Sequence, residues 1–93
     1  MKNYYLYIVS NKLRTTFYIG VTNDLNRRID EHSQGKGSLF TQKYRLNDLV
    51  YYEIFSDINL AIAREKQIKN WKREWKISLI KELNPEIKTL SLI

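Results

Sequence analysis

Two strand-like segments joined by a short polar turn constrain the fold of this chain more than any other feature. Tyr4 to Ser10 and Thr16 to Val21 are both rich in aromatic and β-branched residues. The polar stretch between them is short enough to join neighbouring antiparallel strands, so the pair predicts a β-hairpin. Gly20 lies inside the second strand, which predicts a bulge or the close approach of another group to the backbone.

The alternation of side chains along these strands separates the hairpin into two faces. It places Tyr7 on one face of the first strand and Leu6 and Ile8 on the other. In the second strand, Tyr18 and Gly20 share a face. A polar, phenolic surface on a strand that should pack against a core breaks ordinary folding rules, and such breaks often mark function.

A short amphipathic helix is expected after the hairpin. Asn23 is a good N-cap, and the helix is expected to end near Ser33, where glycines follow. Positions i, i+3, i+4 and i+7 on one face of this helix are Leu25, Arg28, Ile29 and His32. Other faces of the helix are expected to carry Arg27, Asp30 and Glu31. Taken singly, the arginine would be a solvated residue at the border and the histidine a packing residue. Their pairing opposite a tyrosine-bearing hairpin favours a phosphate-binding surface.

The rest of the chain predicts one more strand and two more helices. The strand runs from Leu49 to Phe55, and the helices run from about Ile58 to Trp71 and from about Arg73 to Leu83. Asp57 caps the first of these helices, and a proline ends the second. The glycine-containing stretch 34–38 is expected to be a flexible loop. The order β-β-α-β-α-α predicts an α+β fold, in which helices pack on a small sheet.

The last predicted helix has large apolar residues that recur every four positions. Trp75, Leu79 and Leu83 are therefore expected to pack inward. Trp71 is left undecided between the core and the surface.

Composition narrows the class of protein. With 93 residues the chain is expected to be one domain, and its 16 basic and 10 acidic residues give a net charge of +6. That excess favours a polyanion such as nucleic acid, or an acidic surface, as partner, over a soluble protein that merely happens to be basic. The chain has no cysteine, which excludes disulfides and thiolate metal sites. It shows neither a membrane-spanning apolar run nor a signal-peptide pattern, so a cytoplasmic protein is expected.

Glu65 stands out as a carboxylate in a basic segment. It shares a helical face with Ala61 and Ile68, and Lys69 follows it at i+4. One interpretation is an intrahelical ion pair with Lys69, which would contribute only a few tenths of a kcal/mol, about 0.2–0.5. The other is a ligand for Mg²⁺, which often uses one or two carboxylates together with water and substrate phosphate.

The segment from Arg64 to Lys76 carries many basic residues together with two tryptophans. This pattern suits phosphate contacts with aromatic support, although a solvated helix face with tryptophans in the core would give the same sequence. The predicted nucleic-acid contacts in this segment are Lys69, Lys72 and Arg73. Lys43 and Arg45, which follow the glycine loop, are expected to extend the basic surface.

Taken together, these residues resemble the GIY-YIG nuclease family, and in particular its small single-domain bacterial members. Tyr5-Leu6-Tyr7 stands where the first motif of the family lies, and Tyr18-Ile19-Gly20 matches the second. Arg28 and His32 match the helix positions that follow. The segment 61–69 resembles the one that holds the family's metal-binding glutamate, and Asn84-Pro85-Glu86 resembles the end of the small members.

The resemblance implies a three-stranded antiparallel sheet flanked by helices, formed by residues 1–85, with residues 86–93 as a C-terminal tail. It also implies hydrolysis of phosphodiester bonds in DNA with one Mg²⁺ or Mn²⁺ ion held by Glu65. Arg28 would stabilise charge on the phosphate, either Tyr7 or Tyr18 would orient or deprotonate water, and His32 would assist proton transfer or bind phosphate. Repair or recombination of DNA is the expected setting.

Two departures from the family pattern are visible. Tyr5 and Leu6 replace the glycine and isoleucine of the first motif, although its tyrosine is kept as Tyr7. Val21 follows the second motif where the nuclease domain of the excision-repair protein UvrC has a lysine, so an acid role for that lysine is absent. The alternative function is a DNA-binding or partner-dependent module with little nuclease activity of its own, for which a protein partner would supply specificity. A third possibility is a structural or protein-interaction domain that has kept the scaffold. The oligomeric state is left open.

Overall fold

The computed structural model describes residues 2–91 and confirms the α+β class. Its strands are β1 (Tyr4–Ser10), β2 (Phe17–Thr22) and β3 (Asp48–Phe55), and its helices are α1 (Leu25–Ser33), α2 (Leu39–Lys43), α3 (Ile58–Lys69) and α4 (Arg73–Leu83). The strands form one antiparallel sheet in the order β2-β1-β3. β1 is therefore central, and the hairpin predicted from the sequence forms one half of the sheet.

The sheet separates two apolar clusters, as the alternation of the hairpin predicts. Leu6 and Ile8 lie on one face, where they pack with Ile68 of α3 and with Leu79 and Ile80 of α4. This face buries the larger cluster, because two helices cover it.

The other face carries the tyrosines and packs against the first helix. Tyr7 and Val9 contact the cluster that includes Leu25 of α1 and Leu49 of β3, and Tyr18 packs at its border. A phenolic strand surface is thus enclosed between the sheet and α1, which places the polar groups of Tyr7 inside the protein.

The helices differ from the expected ones in three places, of which two are boundaries and one is an additional helix. Asp24, and not Asn23, is the N-cap of α1, since its side chain accepts a hydrogen bond from the Arg27 N–H at 3.1 Å. Helix α3 ends at Lys69, two residues before the predicted Trp71. Helix α2 was not predicted, so the element order is β-β-α-α-β-α-α rather than β-β-α-β-α-α. It follows the stretch expected to be a flexible loop, and Ser38, the last residue of that stretch, caps it by accepting from the backbone of Thr41.

The expectation that three residues of α4 pack inward is right for one of them. Leu79 is buried, whereas 54% of Trp75 and 72% of Leu83 are exposed. Four residues exceed the 3.6 residues of one helical turn, so the i+4 series drifts around α4, and of these three residues Leu79 alone lies on the buried side. Trp71, left undecided from the sequence, is half-buried against the larger cluster.

The segment after α4 folds back on the sheet. The Asn84 side chain donates to the carbonyl of Val50 at 3.0 Å, and the Leu90 N–H donates to Leu49 at 2.8 Å. Arg14 of the β1–β2 turn donates to Ile87 at 2.8 Å. Residues 84–90 therefore cover the start of β3. Between residues 2 and 91, no helix combines the length and apolar character needed to cross a membrane.

Candidate active site

A buried phenol, a guanidinium and an imidazole meet on the α1 face of the sheet. The Arg28 Nε–H donates to the Tyr7 hydroxyl oxygen at 3.1 Å, and His32 Nε2 lies 3.2 Å from the same oxygen. Tyr7 is 1% exposed and His32 2% exposed. Spacing along α1 explains the geometry, because residues 28 and 32 are one turn apart and project toward the same strand. The helical stripe predicted from the sequence is therefore confirmed as one interacting group.

Gly20 makes room for this group. Tyr7 and Gly20 are paired across β1 and β2, and an ideal Cβ at position 20 would lie 2.5 Å from the Tyr7 hydroxyl oxygen. The close approach predicted for this glycine is thus made by the Tyr7 ring, which lies over β2. The two family tripeptides are consequently one structural unit, since the glycine of the second accommodates the tyrosine of the first.

The electrostatic environment keeps both buried groups neutral. Burial raises the pKa of the Tyr7 phenol above its ordinary value, and the Arg28 hydrogen bond offsets part of that rise. Burial also lowers the pKa of His32, and the positive charge of Arg28 lowers it further. A neutral phenol beside a neutral imidazole can share one proton between Oη and Nε2.

Three neighbours that sequence reasoning missed complete the surroundings of this cluster. Arg28 Nη1 donates to the Glu31 carboxylate at 3.3 Å, although that residue was expected to point elsewhere. An ideal Cβ at Gly37 would lie 2.4 Å from both His32 Nδ1 and Thr41 Oγ1. The pattern Ser38-x-x-Thr41 could have indicated the cap of α2, and with it the packing of that helix near His32.

His32 Nδ1 is a buried polar atom that has no hydrogen-bond partner within the described chain. Such an atom costs free energy, and functional sites are where that cost is commonly found. The packing of Gly37 against this nitrogen leaves no space for a side chain at position 37.

Tyr18, Lys69 and Glu65 approach the cluster along the β2 edge. The Tyr18 ring centroid is 6.2 Å from that of His32, and Lys69 Nζ is 5.9 Å from the Tyr18 ring. Lys69 Nζ is also 3.7 Å from a Glu65 carboxylate oxygen, so the ion pair predicted as one alternative is present. The negative charge of Glu65 contributes to the raised pKa of Tyr7, which places α3 within electrostatic range of the buried phenol.

Glu65 suits a hard cation such as Mg²⁺ that takes only one or two ligands from the protein, rather than one held by several protein side chains. Its side chain is 20% exposed, and its carboxylate is beside Lys69, whose ammonium group lies near the Tyr18 ring of β2. Among residues 2–91, no three His, Asp or Glu side chains are grouped to hold a metal together. A Mg²⁺ ion here would take most of its oxygen ligands from water and substrate, which is its usual habit.

The predicted nucleic-acid contacts lie in three places. Lys69 lies at the site itself, and Lys43 lies 5.4 Å from the Tyr44 ring, next to it in sequence. Lys72 and Arg73 lie at the start of α4, where Arg73 is 5.4 Å from the Phe17 ring. Arg45 is exposed and lines the same cavity as Tyr44. The structure therefore brings Lys69 to the Tyr18 ring, and the other four residues lie beside Tyr44 or at the start of α4.

The order and spacing of these residues are those of a known family. A family model described as the GIY-YIG catalytic domain matches residues 3–78. The chain belongs to the GIY-YIG family. All five predicted catalytic residues, Tyr7, Tyr18, Arg28, His32 and Glu65, lie inside the matched range. The resemblance read from the sequence is confirmed, and membership places the chain in a nuclease-like superfamily.

Bacterial UPF0213 proteins are among the relatives of this GIY-YIG chain. A UPF0213 protein of Staphylococcus haemolyticus is 39% identical over 82 residues, which cover 88% of this chain and 99% of that protein. One from Staphylococcus saprophyticus is 38% identical over the same coverage. The solution NMR structure of the UPF0213 protein BH0048 from Bacillus halodurans has a TM-score of 0.57 and 31% identity, and the match covers 90% of this chain and 88% of that one. These homologues are small single-domain proteins.

Proposed function

We propose that this protein is a divalent-metal-dependent endonuclease that hydrolyses phosphodiester bonds in DNA, in the cytoplasm and in the setting of repair or recombination. The observation that carries the proposal is the cluster in which Arg28 and His32 both contact the buried Tyr7 hydroxyl. Polar groups are costly to bury, and such departures from an apolar core tend to occur at functional sites. The net charge of +6 supports a polyanionic substrate.

Arg28 is the residue proposed to bind the scissile phosphate. Its Nε–H is held by Tyr7 and its Nη1 by Glu31, which fixes the plane of the guanidinium before substrate arrives. The side chain is 26% exposed, so its remaining N–H donors are available at the surface. Preorganised donors aimed at developing negative charge contribute strongly to catalysis because they need no reorganisation.

Tyr18 is the tyrosine proposed to contact the attacking water, with Tyr7 as a positioning residue. Tyr7 is 1% exposed and has a raised pKa, so it stays a neutral phenol that orients Arg28. Tyr18 is half-buried at the edge of the sheet, next to Lys69 and His32. A residue that orients or deprotonates water must reach it, and exposure therefore favours Tyr18.

Glu65 is the proposed holder of one Mg²⁺ or Mn²⁺ ion. When bound, that ion would supply Lewis-acid stabilisation of a phosphate oxygen. Lys69 pairs with the carboxylate, so a cation bound to Glu65 would compete with its ammonium group and leave it free to contact substrate phosphate. The same ion pair supports a second candidate, a DNA-binding module whose cutting depends on a partner protein that releases Glu65.

The decisive experiment compares purified protein with Glu65→Gln and with Glu82→Gln, a matched change on the exposed surface of α4. Plasmid, single-stranded and branched DNA are each incubated with Mg²⁺ and with Mn²⁺. We expect metal-dependent cleavage by the wild type and by Glu82→Gln, and loss of cleavage by Glu65→Gln. Undiminished cleavage by Glu65→Gln would refute the mechanism. Binding without cleavage under every condition would favour the partner-dependent module.

A further inference from the structure

Three aromatic side chains form a continuous row that leads away from the candidate active site. Tyr18, at the site, has its ring centroid 6.3 Å from that of Phe40 on α2. Phe40 in turn lies 4.8 Å from Tyr44, the residue that follows α2. We call these three residues the aromatic row. The row exists because α2, which the sequence did not predict, carries Phe40 to the edge of β2.

The outer part of the row is open to solvent. Phe40 is 45% exposed and Tyr44 43% exposed, although large aromatic side chains usually gain stability from burial in the core. Single exposed apolar residues are common, but adjacent exposed rings beside a functional site usually indicate a binding surface.

The segment that carries the outer part of the row is positively charged. The sequence from Ser33 to Asn47 contains three basic residues and no acidic residue. Lys43 Nζ lies 5.4 Å from the Tyr44 ring, and Lys69 Nζ lies 5.9 Å from the Tyr18 ring. Within residues 2–91, Lys43 forms no ion pair. Cations beside ring faces favour a polyanion over an apolar protein segment.

An open cavity continues the row beyond Tyr44. It has a volume of about 680 Å³ and is lined by Tyr44, Arg45, Lys12 and the β1–β2 turn. Arg14 also lines it but is neutralised by Asp48 at 2.6 Å. Lys12 and Arg45 have no ion-pair partner in the described part of the chain, so they leave net positive charge at the cavity.

We propose that the aromatic row binds unpaired bases of single-stranded DNA next to the scissile phosphate. Bases in a duplex already stack on one another, so their faces are closed to side chains, whereas an unpaired strand offers a base face to each ring and phosphates to the flanking cations. This inference rests on the proposed function. It adds that the substrate carries an unpaired segment on the α2 side of the cut.

The test measures binding in EDTA, so that no cleavage enters the readout. Fluorescence anisotropy follows labelled oligodeoxythymidine of about 12 nucleotides, a length within the range of single-strand sites, alongside a duplex and an oligouridine of equal length. We expect tightest binding to the single-stranded DNA. Phe40→Leu and Tyr44→Leu, which keep apolar volume but remove the ring face, should each weaken that binding about tenfold while leaving duplex binding unchanged.

Two variants keep the result interpretable. Phe40→Trp retains a ring face and should bind like the wild type. Ile54→Thr changes an exposed apolar residue on β3, at the opposite edge of the sheet, and should have no effect. Circular dichroism of each variant checks that it is folded.

Several results would overturn the inference. They are unchanged single-strand binding by Phe40→Leu, tighter binding of duplex or of RNA than of single-stranded DNA, and no nucleic-acid binding at low salt. An inactive protein that still depends on Phe40 for binding would refute the proposed nuclease but support the aromatic row. Cleavage of DNA without any contribution from Phe40 would do the opposite.

Discussion

The Tyr7 hydroxyl lies 2.5 Å from the point where a β-carbon at Gly20 would stand. The two residues face each other across β1 and β2, and the tyrosine ring lies over the glycine. The hydroxyl thereby reaches Arg28 and His32 at 3.1 and 3.2 Å. The absence of a side chain at position 20 is what lets the buried hydrogen-bonded cluster form.

We expect Gly20→Ala to displace the Tyr7 ring. Overpacking of this kind costs about 1–3 kcal/mol of the free energy of unfolding, which urea denaturation would measure. Cleavage should also fall, because Arg28 would lose its hydrogen-bond acceptor. Gly35→Asn is the control, since nothing lies within 4 Å of that position and Asn tolerates its positive φ of 74°. A Gly20→Ala variant with wild-type stability and activity would contradict the role given to this glycine.

Replacement of Arg28 by lysine should greatly reduce cleavage. Lysine keeps the charge but cannot hold Tyr7 and Glu31 while it also donates to a phosphate, because it lacks the planar fork of donors. We expect the turnover rate to fall by about 10²–10³, the loss seen when one preorganised donor is removed. Arg27→Lys, on the exposed side of the same helix, should retain wild-type rates. Equal rates for the two variants would exclude a special role for Arg28.

The single histidine should make stability depend on pH. The pKa of His32 in the folded protein is lowered from 6.5 by burial and by Arg28, so the unfolded chain takes up a proton at a pH where the folded chain does not. The free energy of unfolding should therefore decrease as the pH falls below about 6.5, and His32 should contribute no such change above it. Urea denaturation between pH 8 and about 5 would measure this slope.

His32→Gln supplies the comparison for that measurement. Glutamine does not titrate, so the part of the slope due to the imidazole should disappear while the part due to carboxylates remains. Parallel curves for the wild type and His32→Gln would show that the pKa of His32 is not lowered in the folded protein.

Binding of DNA should weaken steeply as the salt concentration rises. Basic residues that contact phosphate should contribute to the slope of this dependence, and other basic residues should not. We expect Lys69→Gln and Arg73→Gln each to lower the slope of log K against log salt concentration by about 0.7–0.9, as one lost phosphate contact would. Lys81→Gln, on the exposed side of α4, should leave it unchanged. Three identical slopes would place the phosphate contacts elsewhere.

Loss of the Asn84 side chain should affect stability without affecting chemistry. This amide is 7% exposed, donates to Val50 and Lys88, and accepts from the Lys88 N–H. Asn84→Ala would leave buried backbone groups unpaired, at a cost of about 1–3 kcal/mol. Thermal unfolding should show a lower midpoint, while cleavage well below that midpoint stays at the wild-type rate. Asn26→Ala, an exposed change on α1, should shift neither quantity.

Periodic patterns were the reliable part of the sequence. Alternation in β1 separates Tyr7 from Leu6 and Ile8, and the structure places them on opposite faces. The helical stripe selected Arg28 over Arg27, and the hydrogen bond to Tyr7 confirms that choice. These predictions hold because side-chain direction follows from the local backbone geometry alone.

The sequence did not predict which apolar residues of α4 are buried or which residue caps α1. Trp75 and Leu83 continue the apolar series of α4 but are exposed, because an i+4 series drifts around the helix and the buried side of α4 holds only Leu79 of the three. The N-cap of α1 is one residue later than predicted. Asn23 and Asp24 are equally good cap residues, so residue type alone could not decide between them, and in the structure Asp24 makes the cap hydrogen bond.

The sequence by itself determined the hairpin, the helical stripe, the net charge and the residues that carry the family pattern, since each depends on spacing along the chain or on composition. Only the tertiary structure decided that the Tyr7 ring lies over Gly20, that His32 Nδ1 packs against Gly37, and that α2 places Phe40 beside Tyr18. Those contacts join segments far apart in sequence, so they depend on how helices and sheet pack, which no local pattern specifies.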